Sequence, residues 1–141
     1  MNKVRFAVFG LAGAFVVALA VPVKAEVVNL KATLSAASEV PATSSKGTGT
    51  VTATYDTTSK KLSWKGSYSG LTGPATAAHF HSGEAGKNGP VAVPIAPAAS
   101  PFEGSATLTD AQAADLLAGK WYVNVHTAEN KGGEIRGQVT K

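Results

Sequence analysis

The sequence predicts an all-β protein, an antiparallel Greek-key β-sandwich or barrel with one short helix before the penultimate strand. Three observations predict it. Short stretches of apolar/polar alternation recur along the chain, and turn clusters rich in Gly, Pro, Asn, Asp and Ser separate them. Only one segment carries the chemistry of a helix start. Six to eight strands with so little helix fit a closed or paired antiparallel sheet. The 141 residues suit one domain.

The first 25 residues read as an export signal rather than as part of that domain. Lys3 and Arg5 precede an uncharged apolar run from Phe6 to Val21, and Val23-Lys24-Ala25 offers a cut before Glu26. The run is slightly short for a membrane span and holds Gly10 and Gly13, so no stable span is expected after cleavage. The domain is then residues 26–141, secreted or periplasmic. The whole chain carries a formal charge of +4, but without Lys3, Arg5 and Lys24 the 13 basic residues become 10 against 9 acidic ones. No basic stripe with interleaved aromatics remains, which excludes nucleic acid as a partner. Cysteine is absent, so the exported domain is held by its core, with a metal as the available staple.

Within the domain, Val27 to Ser35 is the first strand, with Leu30, Ala32 and Leu34 on one face. Ala36 to Lys46 is a loop. Gly47 to Asp56 and Lys61 to Tyr68 form a hairpin about the turn Asp56–Lys60; Val51, Ala53 and Tyr55 share the inner face with Leu62, Trp64, Gly66 and Tyr68. Ala75 to His81 is a strand, followed by a glycine-rich loop to Gly89 and a short strand from Pro90 to Ile95. Prolines at 94, 97 and 101 exclude a central strand there. Phe102 to Leu108 is another strand. Thr109-Asp110-Ala111-Gln112 is a capping box, opening a two-turn helix that stops near Gly119. Lys120 to Thr127 and Gly133 to Thr140 complete the set as antiparallel neighbours.

Two of the three histidines, His79 and His81, stand at i and i+2 and share a strand face opposite Phe80. The third, His126, lies on the face of its strand that carries Tyr122 and Asn124, opposite Trp121, Val123 and Val125. Imidazole is the commonest metal-ligand side chain, and three of them suit Cu or Zn. The last hairpin's register places Glu134 near His126 and Arg136 near Asn124. Glu134 or Asn124 could accept the second ring proton of His126 and fix its tautomer, Arg136 could pair with either, and Tyr122 could wall the site. Glu39 and Glu84 fall in loops and are not counted as ligands. No nucleophile elbow accompanies Ser82, and no phosphate-binding glycine loop opens a helix, so the residues point to binding rather than catalysis.

Several of these stretches recur in a known pattern. Leu34 with Glu39-Val40-Pro41, Gly70-Leu71, Ala78-His79-Phe80-His81, Gly89-Pro90-Val91, Gly119 to Thr127 and Gly132 to Gln138 resemble, in that order, the CHRD domain. That family takes its name from chordin and is widespread in secreted bacterial proteins. The resemblance covers about Val28 to Val139. A looser similarity is to Cu/Zn superoxide dismutase, which also has an H-x-H pair on an outward strand of a Greek-key barrel. That enzyme uses six histidines and an aspartate for two metals, whereas this chain has three histidines in all. The leading expectation is thus a module binding Cu or Zn through His79, His81 and His126. The alternatives are a structural or adhesive module contacting another extracytoplasmic protein, and a reduced dismutase-like redox enzyme.

Overall fold

The computed structural model of the chain describes residues 21, 22 and 24–141. The apolar run of the expected export signal therefore lies, except for Val21, outside the described residues. Among the described residues there are eight strands: β1 (Val27–Ser35), β2 (Thr48–Asp56), β3 (Lys61–Ser69), β4 (Ala75–Ser82), β5 (Val91–Ile95), β6 (Phe102–Thr107), β7 (Trp121–Thr127) and β8 (Ile135–Gln138). A 3-10 turn follows β1 at Ala36–Ser38, and α1 (Asp110–Leu117) precedes β7.

The strands form one sheet in the order β5-β4-β7-β8-β1-β2-β3-β6, every pairing antiparallel. The sheet curls until its edge strands β5 and β6 approach one another without a hydrogen-bonded ladder. The result is a nearly closed barrel, not a sandwich of two sheets. One inner face serves all strands, and alternation does the sorting. Leu30, Ala32 and Leu34 of β1, Val51, Ala53 and Tyr55 of β2, and Leu62 and Trp64 of β3 are buried, while the threonines and lysines between them are exposed. Trp64, Phe80 and Trp121 meet at the centre, with ring centroids 5.1 Å apart for Trp64–Phe80 and 5.9 Å for Phe80–Trp121. Burial of these aromatics with the Leu, Val and Ile residues around them holds a chain that has no disulfide.

The helix starts as its capping box requires: the Thr109 hydroxyl accepts from the Gln112 amide, and the Gln112 side chain accepts from the Thr109 amide. The proline-rich segment keeps its first proline inside β5, where Pro94 stands opposite His79. A proline is tolerated there because β5 is an edge strand. The last strand is shorter than expected. Gly133, at φ +127°, bends the chain ahead of Ile135, and after Gln138 the pairing continues as a Val139 amide bond to the Trp121 carbonyl and an isolated bridge from Thr140 to Lys31.

The outer face is not uniformly wet. Around β7 and β8 it is roofed by the loops at 36–47, 83–89 and 128–134. Tyr122, Asn124, Glu134 and Arg136, expected on an outward polar face, are all buried.

Candidate metal centre

The site forms where β4 and β7 run side by side. Register pairs His81 with Tyr122, His79 with Asn124 and Ala77 with His126. Opposed residues of an antiparallel pair share a face, so the three histidines, Asn124 and Tyr122 make one contiguous patch. One ring nitrogen from each of His79, His81 and His126 lies within 4.8 Å of the other two. Ring centroids are 5.0 Å apart for His79–His126, 5.4 Å for His79–His81 and 6.2 Å for His81–His126. The closest nitrogens, Nδ1 of His79 and Nε2 of His126, are 3.1 Å apart. Two nitrogens bound tetrahedrally at about 2.05 Å would stand about 3.3 Å apart, so this pair is already spaced for one ion.

Backbone carbonyls set the tautomers. His81 Nδ1 is 2.9 Å from the Gly89 carbonyl, and His126 Nδ1 is 2.8 Å from that of Lys131. A carbonyl can only accept, so in the neutral rings Nδ1 carries the proton and Nε2 keeps a bare lone pair. His81 Nε2 has no hydrogen-bond partner, although His81 is only 8% exposed. Burial, reinforced by the neighbouring His126 and His81, holds His79 below the usual histidine range. Burial lowers His81 likewise, against a smaller opposing effect of the Gly89 carbonyl. Both rings are therefore neutral near pH 7, as ligation requires.

The walls come from β7 and β8. Tyr122 stacks flat on His81, at 4.8 Å and 3° between planes, and its hydroxyl accepts from the Gly89 amide at 3.0 Å. The Arg136 guanidinium covers the other face of Tyr122, 3.4 Å from the ring centroid. The same guanidinium donates to Asn88 Oδ1 at 3.0 Å and to the carbonyls of Lys87 and Glu84. Arg136 thus ties the 83–89 loop down, and that loop carries the carbonyl that orients His81. It stands opposite Asn124, as the hairpin register required.

Glu134 does not orient His126. The bend at Gly133 turns its carboxylate away from the ring, into a ring of donors at the end of the barrel. Ser45 Oγ (2.6 Å), the Thr72 amide and hydroxyl (both 2.8 Å), Thr127 Oγ1 (2.5 Å) and Asn130 Nδ2 (3.2 Å) all donate to it. Burial alone would raise its pKa, but the Ser45, Thr127 and Thr72 donors outweigh burial and bring it down to about 2. The place expected for Glu134 beside His126 is filled by the Lys131 carbonyl, which sequence alternation cannot announce.

Glu39, read from the sequence as a loop residue, is 5% exposed and lies against Asn124 beneath Gly133. Burial raises its pKa, and the Arg136 charge pulls it part of the way back. Its signal was the Glu39-Val40-Pro41 stretch, which belongs to the same pattern as the histidines.

Fold and site together define an antiparallel β-barrel domain with a histidine cluster set into its outer surface. The CHRD domain family matches residues 30–139, and the chain belongs to that family. No curated protein and no solved structure matches it.

Proposed function

We propose that this chain is an exported CHRD-domain module that binds Cu(II) or Zn(II) through His79, His81 and His126. One observation carries the reading: the convergence of ring nitrogens whose lone pairs are held bare. The Nδ1 atoms of His81 and His126 are engaged by carbonyls, which leaves their Nε2 atoms as the acceptors, and one ring nitrogen from each of the three histidines lies within 4.8 Å of the others. Hydrogen bonding alone absorbs one such contact, His79 to His126, and leaves His81 Nε2 unmatched. A divalent cation uses all three. The protein has no cysteine, and its one methionine is Met1, so the donors suit Cu(II) or Zn(II) rather than Cu(I). The role that follows is to hold or present metal, with a structural or adhesive role as the reading that remains if no metal is taken up.

Titrating the purified domain with each metal tests this. Wild type is expected to take up about one equivalent, and a His79→Ala/His81→Ala/His126→Ala triple variant none at that site. Equal uptake by the two proteins would defeat the reading.

Export rests on the segment 1–25, with its basic start, apolar run and cut before Glu26. Among the described residues no helix is long and apolar enough to cross a membrane. Chain recovered outside the cytoplasm is expected to begin at Glu26 on N-terminal sequencing; recovery starting at Met1 would refute cleavage.

A further inference from the structure

We infer that the Asn124 carboxamide oxygen is the fourth ligand of this site and that Glu39 orients it. The inference rests on the metal reading above and extends it from three imidazoles to a closed set of three nitrogens and one oxygen.

Asn124 occupies the middle of the cluster. It stands opposite His79 across the β4–β7 ladder, and His126 is its next neighbour on the same face of β7. Its carboxamide meets the His81 ring. Asn124 is 3% exposed, yet its Oδ1 has no hydrogen-bond partner. Buried amide oxygens nearly always find a donor. Here the neighbours on offer are acceptors. His81 Nε2 is bare because Nδ1 serves Gly89, and His126 Nε2, an acceptor because Nδ1 serves Lys131, is already met by His79 Nδ1. Two buried, unpartnered acceptors, Asn124 Oδ1 and His81 Nε2, are costly, and a cation beside them turns that cost into binding.

The other end of the carboxamide is also accounted for. Gly133 lacks the Cβ that would sit 2.6 Å from Asn124 Nδ2, and Glu39 Oε1 presses on the same point. The buried carboxylate of Glu39 thus adjoins the amide nitrogen. A carboxylate accepts only, so it selects the NH2 end of the carboxamide and leaves the oxygen toward His81. Glu39 is a positioning residue, acting through Asn124. A four-ligand protein set has no open position for substrate, which is the pattern of sites that retain a metal rather than turn over at it.

The test uses the full chain loaded with Cu(II), with asparagine carbon-13 labelled at Cγ, and reads electron–nuclear double resonance. A carbon-13 coupling in wild type, absent in Asn124→Leu, is expected. Asn124→Leu is also expected to shift the copper g-values and to bind Zn(II) about 10-fold more weakly by chelator competition. Asn124→Asp keeps the oxygen and adds charge, and is expected to bind more tightly than wild type. Glu39→Gln removes the selector and is expected to weaken the coupling while copper stays bound. Copper held by the imidazoles with no carbon-13 coupling, or with g-values unchanged in Asn124→Leu, overturns the fourth ligand alone. A wild type that binds neither metal overturns this inference and the metal reading together. Should Asn124→Leu fail to fold, the labelled wild type decides.

Discussion

Glu134→Ala is expected to cost the fold about 3 kcal/mol, because it strands buried donors built around one carboxylate. Ser45, Thr72 and the Thr127/Asn130 pair come from three separate segments and converge on this side chain. Its loss therefore loosens the loop after β1, the β3–β4 link and the β7–β8 turn together. Equilibrium urea unfolding at neutral pH measures the effect, and a cost below about 1 kcal/mol would mark the carboxylate as an ordinary surface group. The pH dependence has a fixed sign. The folded-state carboxyl lies at about 2, below its usual 4.5. A depressed value means stability that is fully present above about 4.5 and is lost as pH falls toward 2. The stability gap between wild type and Glu134→Gln is accordingly expected to narrow across that window. A gap independent of pH would show that the charge is not what the donors hold.

Arg136→Ala is expected to be of similar severity, about 3 to 5 kcal/mol, for a different reason. The side chain is 2% exposed and performs three tasks: it covers Tyr122, bonds the 83–89 loop and supplies the positive charge that acts on buried Glu39. Truncation leaves a carboxylate in low dielectric with no counter-charge. The double variant Arg136→Ala/Glu39→Gln should recover part of the loss, which a double-mutant cycle reads directly. The site should suffer too, because the loop that presents the Gly89 carbonyl to His81 is no longer tied. Metal affinity is expected to fall about 10-fold with all three histidines in place. Unchanged affinity in a folded Arg136→Ala protein would show that the loop holds His81 without help.

Much of this arrangement is legible in the sequence. Strict alternation identified β1, the β2–β3 hairpin and the helix start, because period and cap chemistry are local properties. The same logic put His79 and His81 on one face and Arg136 opposite Asn124. What alternation cannot convey is where a loop folds back. It names a face as outward but not as roofed, so it places Tyr122, Asn124 and Arg136 on the surface when loops bury them. It also carries a strand's register straight through Gly133, and the real bend there sends Glu134 to a different set of partners. Backbone carbonyls were beyond it altogether, since every residue has one and no side chain advertises which will be used. Gly89 and Lys131 are of that kind.

The barrel's unlaced edge has a consequence for life among other copies. Where β5 and β6 meet, the sheet is finished by side chains, so two strand margins remain that a stranger's backbone could in principle zip onto. Pro94 sits in the middle of one margin with no amide hydrogen to lend, and Pro97 and Pro101 stiffen the passage to the other. Pro94 thereby removes a donor from the β5 margin, which makes that margin a poorer template for an added strand than an unbroken edge would be.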